Sequence, residues 1–150
     1  MGPIMNTTAI RGFEHAYQSR IFDAVIPFVG RVLLSAIFLA SGIGKLTAPA
    51  DTIGYIASEG LPFPPLAYAA AILVELIGGI ALVVGFRTRI AATALAIFSL
   101  ATAATFHSNL ADLNQFIHFF KNVAMAGGLL QIVAFGAGAF SLDAYRGRTK

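Results

Sequence analysis

The sequence predicts an all-α, polytopic membrane protein: a bundle of four transmembrane helices with both termini on the cytoplasmic side. The first observation is composition, because 57% of the 150 residues are hydrophobic, only 11% are charged, and the mean hydropathy is +0.79. Soluble domains contain about 45–50% apolar and about 25% charged residues, and a chain this short has too little volume to hide the excess from water. The second observation is a set of long apolar runs, and the third is the placement of basic residues between them.

Four apolar runs are long enough to cross a bilayer. A helix rises about 1.5 Å per residue, so a hydrocarbon core about 30 Å thick needs about 20 mainly apolar residues. The runs are 24–44, 65–85, 90–106 and 116–137. Because lipid offers no hydrogen bonds, each run should be a helix that satisfies its own backbone. These runs divide the chain into a cytoplasmic tail over 1–23, a membrane domain over 24–144 and a basic tail over 145–150.

The connections between the runs differ in character. The longest joins the first and second runs, and residues 49–58 within it could form a short helix on the membrane surface before a proline-rich stretch. The second connection is a tight basic turn over 86–89. The third, over 107–115, is short and contains no Lys or Arg.

Basic residues predict the orientation of the bundle. They cluster on the two tails and on the middle turn, at Arg11, Arg20, Arg87, Arg89, Arg146, Arg148 and Lys150. The other two connections carry only Lys45, at a helix end. Since cytoplasmic segments carry an excess of Lys and Arg, the tails and the middle turn should face the cytoplasm.

Composition also excludes several kinds of chemistry. The chain has no cysteine, so it forms no disulfide and no thiolate metal site. Its net charge is +3, its few basic residues lie mainly at helix ends, and no basic run with interleaved aromatics indicates a nucleic-acid partner. The residues show no metal-binding or haem-binding pattern.

Two charged residues lie within predicted spans, where a charge is costly and needs a partner. Arg31 lies about two turns inside the first run, and Glu75 lies near the middle of the second. Counting about 1.5 Å per residue along antiparallel helices puts them at similar depths. The sequence therefore predicts a buried Arg31–Glu75 ion pair, which would either fix the helix register or take part in function.

A second polar cluster is expected in the outer half of the bundle, where three helix faces converge. Each face follows steps of three and four residues. The faces comprise Arg31, Ser35, Phe38, Gly42 and Lys45 on the first helix, Thr93, Ile97, Leu100, Ala104 and His107 on the third, and His118, Lys121, Asn122 and Met125 on the fourth. Together they predict one outward-opening pocket.

The polar ends of these faces suit the head of a quinone or an anionic substrate. Imidazoles exchange protons near neutral pH, and a partly desolvated lysine supplies positive charge. His107 and Lys121 are the candidate catalytic residues. Lys45, His118 and Asn122 are the candidate binding residues. The alternative is that these side chains are interfacial and only reach out to water.

Several short motifs follow one another in a characteristic order along the four spans. They include Gly30-Arg31, Ser41-Gly42 with Lys45-Leu46, Gly60-Leu61-Pro62, Glu75 with Gly78-Gly79, Gly85 with Arg87-Thr88-Arg89, Phe106-His107, His118 through Lys121-Asn122 to Gly127-Gly128, and Gly136-Ala137-Gly138 with Ser141-Leu142-Asp143. In these motifs the chain resembles the DoxX family of small bacterial membrane proteins, over about 28–144. The resemblance implies a multi-pass protein of the bacterial inner membrane, linked to respiratory, sulfur-compound or oxidative-stress oxidation through the quinone pool. The polar residues that match the family pattern by position are Arg31, Lys45, Glu75, His107, Lys121 and Asn122.

Three functions remain open at this stage. The protein could be a quinone-interacting subunit of an oxidoreductase, with a quinone or quinol as its cofactor. It could instead be a non-catalytic anchor or assembly subunit for a partner protein. The third candidate is a small transporter, for which four helices and no interrupted pair are less suitable. Whether the chain is itself an enzyme stays open, and its expected partners are the lipid bilayer and either a second copy or an oxidoreductase subunit.

Overall fold

The computed structural model describes residues 21–148, and within them it contains helices and no strand. A π-helical turn, Ile21–Val25, leads into α1 (Ile26–Thr47), which is followed by α2 (Pro49–Ser58), α3 (Pro64–Val84), α4 (Thr88–Phe106), α5 (Leu113–Phe135) and α6 (Leu142–Arg148). Helices α1, α3, α4 and α5 are long and apolar enough to cross a membrane. The predicted all-α fold with four membrane-spanning helices is therefore confirmed, and the short helix expected over 49–58 is present as α2. The basic residues Arg11, Arg20 and Lys150 lie outside the described residues.

Local signals explain where the helices begin and end. Proline occupies the first turn of α1, α2 and α3, where its missing N–H has no helical partner to lose. Helix α5 is capped by Asp112, whose carboxylate accepts a hydrogen bond of 2.9 Å from the backbone N–H of Gln115. Helix α3 is terminated by Gly85, which follows Val84 and whose φ of 69° is the left-handed conformation that glycine adopts freely.

The bundle consists of two closely packed helix pairs, α1 with α3 and α4 with α5, joined by contacts between α3 and α4. The core at their centre contains Phe38, Leu82, Ala92, Leu95, Ala96, Ala126 and Leu129. Glycines permit the closest approach: a Cβ on Gly42 would lie 2.7 Å from Leu76, and one on Gly79 would lie 2.8 Å from Leu39. Small residues let transmembrane backbones approach in this way. One short helix lies at each end of the bundle. We call these the α2 end and the α6 end.

Arg31 joins three elements at the α6 end. It is 1% exposed, and its Nη1 donates hydrogen bonds to the carbonyl oxygens of Leu82 (2.8 Å) and Val83 (3.0 Å), while Nη2 donates to the carbonyl oxygen of Phe140. The last carbonyls of a helix have no intrahelical donor, so the guanidinium satisfies the end of α3 and holds the segment before α6. Its Nε has no hydrogen-bond partner within the described residues.

The predicted Arg31–Glu75 ion pair is therefore wrong. Arg31 reaches toward the end of α3, whereas Glu75 pairs with Lys45 in the other half of the bundle. Counting residues along the helices locates only the Cα atoms, whereas the long arginine side chain carries its charge well away from its Cα. The two helices do pack together as expected, but each charge finds a nearer partner.

Asp143 of α6 caps α4 from outside that helix. Its carboxylate accepts hydrogen bonds from the backbone N–H groups of Arg87 and Thr88, both 2.8 Å, and from the Thr88 hydroxyl at 2.7 Å. Burial acts to raise the pKa of Asp143, but these hydrogen bonds and the charge of Arg146 outweigh it and hold the pKa below its ordinary value of 3.8. The start of α4 thus depends on a carboxylate that follows it by more than fifty residues in sequence.

We expect Asp143→Ala to lower the free energy of unfolding by about 1 kcal/mol, the usual cost of losing a helix cap. A carboxyl group with a depressed folded pKa stabilises the fold fully above its unfolded pKa and loses that contribution as pH falls through the folded value. The wild type should therefore exceed the variant in stability at neutral pH and lose this advantage below about pH 4. Denaturant unfolding of the detergent-solubilised protein across this pH range measures both, and a pH-independent difference would contradict the assignment.

Candidate functional site

A cavity of about 660 Å³ lies within the bundle toward the α2 end. All four spans and α2 contribute to its wall. The wall is mainly apolar, and its polar members are Ser41, Lys45, Asp51, Thr52, Tyr55, Glu75, Thr102, Thr105, His107, Lys121 and Asn122. Cavities of about 300–1,000 Å³ with an apolar wall and few polar groups are typical of small-molecule sites.

The first polar group of the wall joins α1 to α3. Lys45 Nζ lies 2.9 Å from Glu75 Oε1 and donates to the Ser41 hydroxyl at 2.7 Å, and that hydroxyl donates to the same Glu75 oxygen at 3.0 Å. The Glu75 side chain is 5% exposed and the Lys45 side chain 23%. Glu75 Oε2 is buried and has no hydrogen-bond partner within the described residues. The carboxylate is thus held on one oxygen only.

This arrangement follows from the residues around Gly42. That glycine is buried, and the space that a Cβ would occupy there is filled by Leu76 and by the Cβ of Glu75. The close approach brings Ser41 and Lys45, which are one turn apart on α1, to the same carboxylate. Because a buried charge in a span needs a partner, the lysine explains why Glu75 is tolerated at this depth.

The second polar group is built by the end of α4 and the first turns of α5. The rings of His107 and His118 stack with centroids 5.0 Å apart and an interplanar angle of 24°. Lys121 Nζ lies 2.7 Å from His118 Nδ1, so an ammonium there donates to a ring nitrogen that carries no proton. Asn122 is 7% exposed, and its Nδ2 donates to the His118 carbonyl oxygen at 2.9 Å.

His107 follows the last residue of α4 and has a perturbed titration. Burial lowers the pKa of His107 below its ordinary 6.5, and electrostatic repulsion by the neighbouring His118 and Lys121 lowers it further. A hydrogen bond with the Phe106 backbone and the charge of Glu59 act in the opposite direction without cancelling the shift. At neutral pH the ring is therefore mostly uncharged and available to accept a proton.

The structure brings most of the sequence-predicted site residues to one cavity. Lys45, His107, Lys121 and Asn122 line it, while His118 lies behind them, stacked on His107 and hydrogen-bonded to Lys121. Glu75 lines the same cavity, which the sequence did not predict. Arg31 does not line it and belongs to the α6 end.

The predicted faces are correct for α1 and wrong for α4. The buried residues of α1 are Arg31, Ser35, Phe38 and Gly42, as expected. On α4 the expected residues Thr93, Ile97, Leu100 and Ala104 are exposed, and the buried face instead contains Thr88, Ala91, Ala92, Leu95, Ala96, Ser99 and Ala103. The predicted face includes His107, but that residue has φ −132° and follows the last residue of the helix. The direction of its side chain therefore does not indicate which face of α4 is buried.

Sequence reasoning missed the contribution of α2. Asp51, Thr52, Tyr55 and Ile56 line the cavity, and the Tyr55 ring packs against Phe106 with centroids 5.5 Å apart. The spacing of these residues could have indicated which side of α2 faces the bundle. Asp51 and Tyr55 are four residues apart, as are Thr52 and Ile56, so they share one side of a helix. Within residues 21–148 no group of three or more His, Asp or Glu side chains could hold a metal ion.

Comparisons with known proteins agree with this architecture. The family model described as DoxX matches residues 26–108. The chain is 40% identical over 117 residues to the inner membrane protein YqjF of Escherichia coli (strain K12), covering 77% of this chain and 87% of the relative. It is 34% identical over 125 residues to the inner membrane protein YphA of the same organism, covering 79% and 89%. No solved structure matches the chain.

These findings confirm the resemblance noted in the sequence. The relatives are inner membrane proteins by name, and the structure has four helices able to cross a membrane, so the chain is a multi-pass inner membrane protein. The family model covers more than half of the chain. With this coverage and identity, the chain belongs to the DoxX family.

Proposed function

We propose that the cavity binds a quinone or quinol, and that the protein is a quinone-interacting subunit of a respiratory, sulfur-compound or oxidative-stress oxidoreductase. The observation that carries this proposal is one apolar cavity, within the spans, whose wall holds two separate polar groups. One is Lys45 with Glu75, and the other is His107 with Lys121 and Asn122. A quinone head has this character, being a flat apolar ring with an oxygen on each of two sides.

The wall supports the proposal by its chemistry. Phe38, Phe98, Phe106 and Met125 supply aromatic and sulfur surfaces for packing against a ring. Lys45 and Lys121 supply hydrogen-bond donors for carbonyl oxygens. Glu75 can accept a hydrogen bond from the hydroxyl of the reduced form. Both redox forms would therefore find complementary groups in one cavity.

Reduction of a quinone to a quinol takes up two electrons and two protons, and the residues can assist with the protons. His107, whose pKa is lowered, and Lys121 lie where a proton could pass between water and a bound ring oxygen. The electrons would come from a partner subunit or a soluble reductant.

We further propose that the α6 end faces the cytoplasm, because Arg87, Arg89 and Arg146 lie there. The quinone cavity would then lie toward the outer face.

The test is the amount of quinone that copurifies with the protein in mild detergent, measured by mass spectrometry. We expect near-stoichiometric quinone with the wild type and at least a tenfold loss in Lys121→Ala and in His107→Ala, since each removes a polar contact worth about 1.4 kcal/mol or more. Gln131→Ala is the matched control, because Gln131 lies on the same helix, is exposed and does not line the cavity. Helical content by circular dichroism shows that each variant is folded.

The opposite result has a definite meaning. Quinone present only at its ratio in the bulk lipid, and unchanged in folded Lys121→Ala and His107→Ala, would contradict the proposal. The anchor or assembly role would then be favoured, and a search for the partner protein would follow.

A further inference from the structure

A second cavity, of about 510 Å³, lies at the α6 end and is not part of the proposed quinone site. It is an open pocket bordered by the start of α4, the residues after α5 and helix α6. Three arginines, Arg87, Arg89 and Arg146, line it together with one carboxylate, Asp143. At neutral pH the four side chains sum to +2, from three positive charges and one negative, so the cavity favours an anion.

The carboxylate offsets one of the three positive charges, but its hydrogen bonds go mainly to the start of α4. Both oxygens of Asp143 accept hydrogen bonds from backbone N–H groups at the start of α4, and one of them also accepts from the Thr88 hydroxyl. These hydrogen bonds cap the helix, and donor capacity remains on Arg89. That side chain makes one long hydrogen bond, of 3.4 Å, from Nη2 to the Ala134 carbonyl oxygen.

The backbone of the cavity leaves room beside Arg89. Gly136 has a φ of 86°, which strongly favours glycine, and a Cβ there would lie 3.8 Å from the Arg89 Nη2. On the other side, the Arg146 guanidinium lies 4.7 Å from the centre of the Phe86 ring, a cation–π arrangement that restrains its position. Guanidinium groups present fork-like donors that match the oxygens of a phosphate.

The position of the cavity indicates which kind of anion it takes. Helix α3 ends at Val84, α4 begins at Thr88 and α5 ends at Phe135, so the cavity lies where three spans leave the membrane. Lipid phosphates lie at this level. Ile90, which follows Arg89 in sequence, is 61% exposed, and Phe135, which precedes Gly136, is 82% exposed. A ligand with a phosphate and acyl chains would contact both the charged and the apolar surfaces.

We propose that this cavity binds the phosphate headgroup of an anionic phospholipid such as phosphatidylglycerol or cardiolipin. Basic pockets between spans on the cytoplasmic side bind such headgroups in other membrane proteins. The site is separate from the quinone cavity and does not depend on the function proposed for it. The arginines at the α6 end would then bind lipid in addition to setting the orientation of the bundle in the membrane.

The test is selective lipid retention by the full-length protein. Protein released from nanodiscs that contain equal parts of phosphatidylglycerol and phosphatidylcholine is analysed by native mass spectrometry. We expect the wild type to retain phosphatidylglycerol preferentially, and Arg87→Gln and Arg89→Gln each to bind it about fivefold more weakly, the fold-change that corresponds to about 1 kcal/mol per basic residue. Arg87→Gln leaves the helix cap intact, because Asp143 binds the backbone N–H of that residue.

Lys121→Gln is the charge-matched control, since it removes one positive charge at the α2 end. Equal loss of phosphatidylglycerol in this control and in the arginine variants would overturn the proposal, as would equal retention of the two lipids by the wild type. A second measurement separates a lipid site from a site for free anions. Thermal stabilisation by inorganic phosphate as strong as that by short-chain, soluble phosphatidylglycerol would also overturn the lipid assignment.

Discussion

Replacing Arg31 with methionine should lower the free energy of unfolding by about 3 kcal/mol or more, one of the two largest effects that we expect from a single substitution in this protein. The guanidinium donates to the carbonyl oxygens of Leu82, Val83 and Phe140. Each buried carbonyl that loses its donor costs about 1–3 kcal/mol. The variant should therefore unfold at a lower denaturant concentration, and release of the segment before α6 should accompany unfolding.

Two further substitutions distinguish the hydrogen-bond geometry from charge alone. Arg31→Lys keeps the positive charge but cannot present the planar fork that reaches two elements, so it should recover only part of the lost stability. Ser35→Ala is the control on the same face, because the Ser35 hydroxyl donates only to the Arg31 carbonyl within α1. Wild-type stability in Arg31→Met, measured by denaturant titration in detergent, would show that the carbonyls are satisfied in another way.

Breaking the Lys45–Glu75 pair on one side should cost about 3–5 kcal/mol, the range observed when one partner of a buried ion pair is removed. Glu75→Leu leaves the Lys45 ammonium facing a mainly apolar cavity, and Lys45→Met leaves a carboxylate that is 5% exposed. The double substitution removes both charges. We therefore expect it to cost much less than the sum of the two single substitutions.

The double-mutant cycle provides the coupling energy directly. Unfolding free energies of the wild type, both single variants and the double variant are measured under one detergent condition. Ser41→Ala extends the cycle, because its hydroxyl lies between the two charges. Additive effects of Lys45→Met and Glu75→Leu would mean that the two groups do not stabilise each other, and the account of this pair would be wrong.

Much of the candidate site followed from the cost of placing polar groups in lipid. Lys45, His107, Lys121 and Asn122 were singled out because each is polar near the end of an apolar run, and all four line the cavity. The buried face of α1 was also predictable, since polar and small residues recur there every three or four positions. The role of Tyr55 was harder to foresee, because α2 is short and its contacts depend on how it folds back over the bundle.

The sequence by itself determined the membrane setting, the four spans and the residues that need polar partners. The length of an apolar run and the charge of a side chain are both visible in a short stretch of sequence, without knowledge of the fold. Only the tertiary structure decided which partners those residues find. Arg31 bonds the carbonyls at the end of α3 in place of Glu75, since its side chain is long and unsatisfied carbonyls lie within its reach. The buried face of α4 was likewise undetermined, because an alanine-rich helix has little contrast between its sides. There, packing against α5 decides which residues are buried.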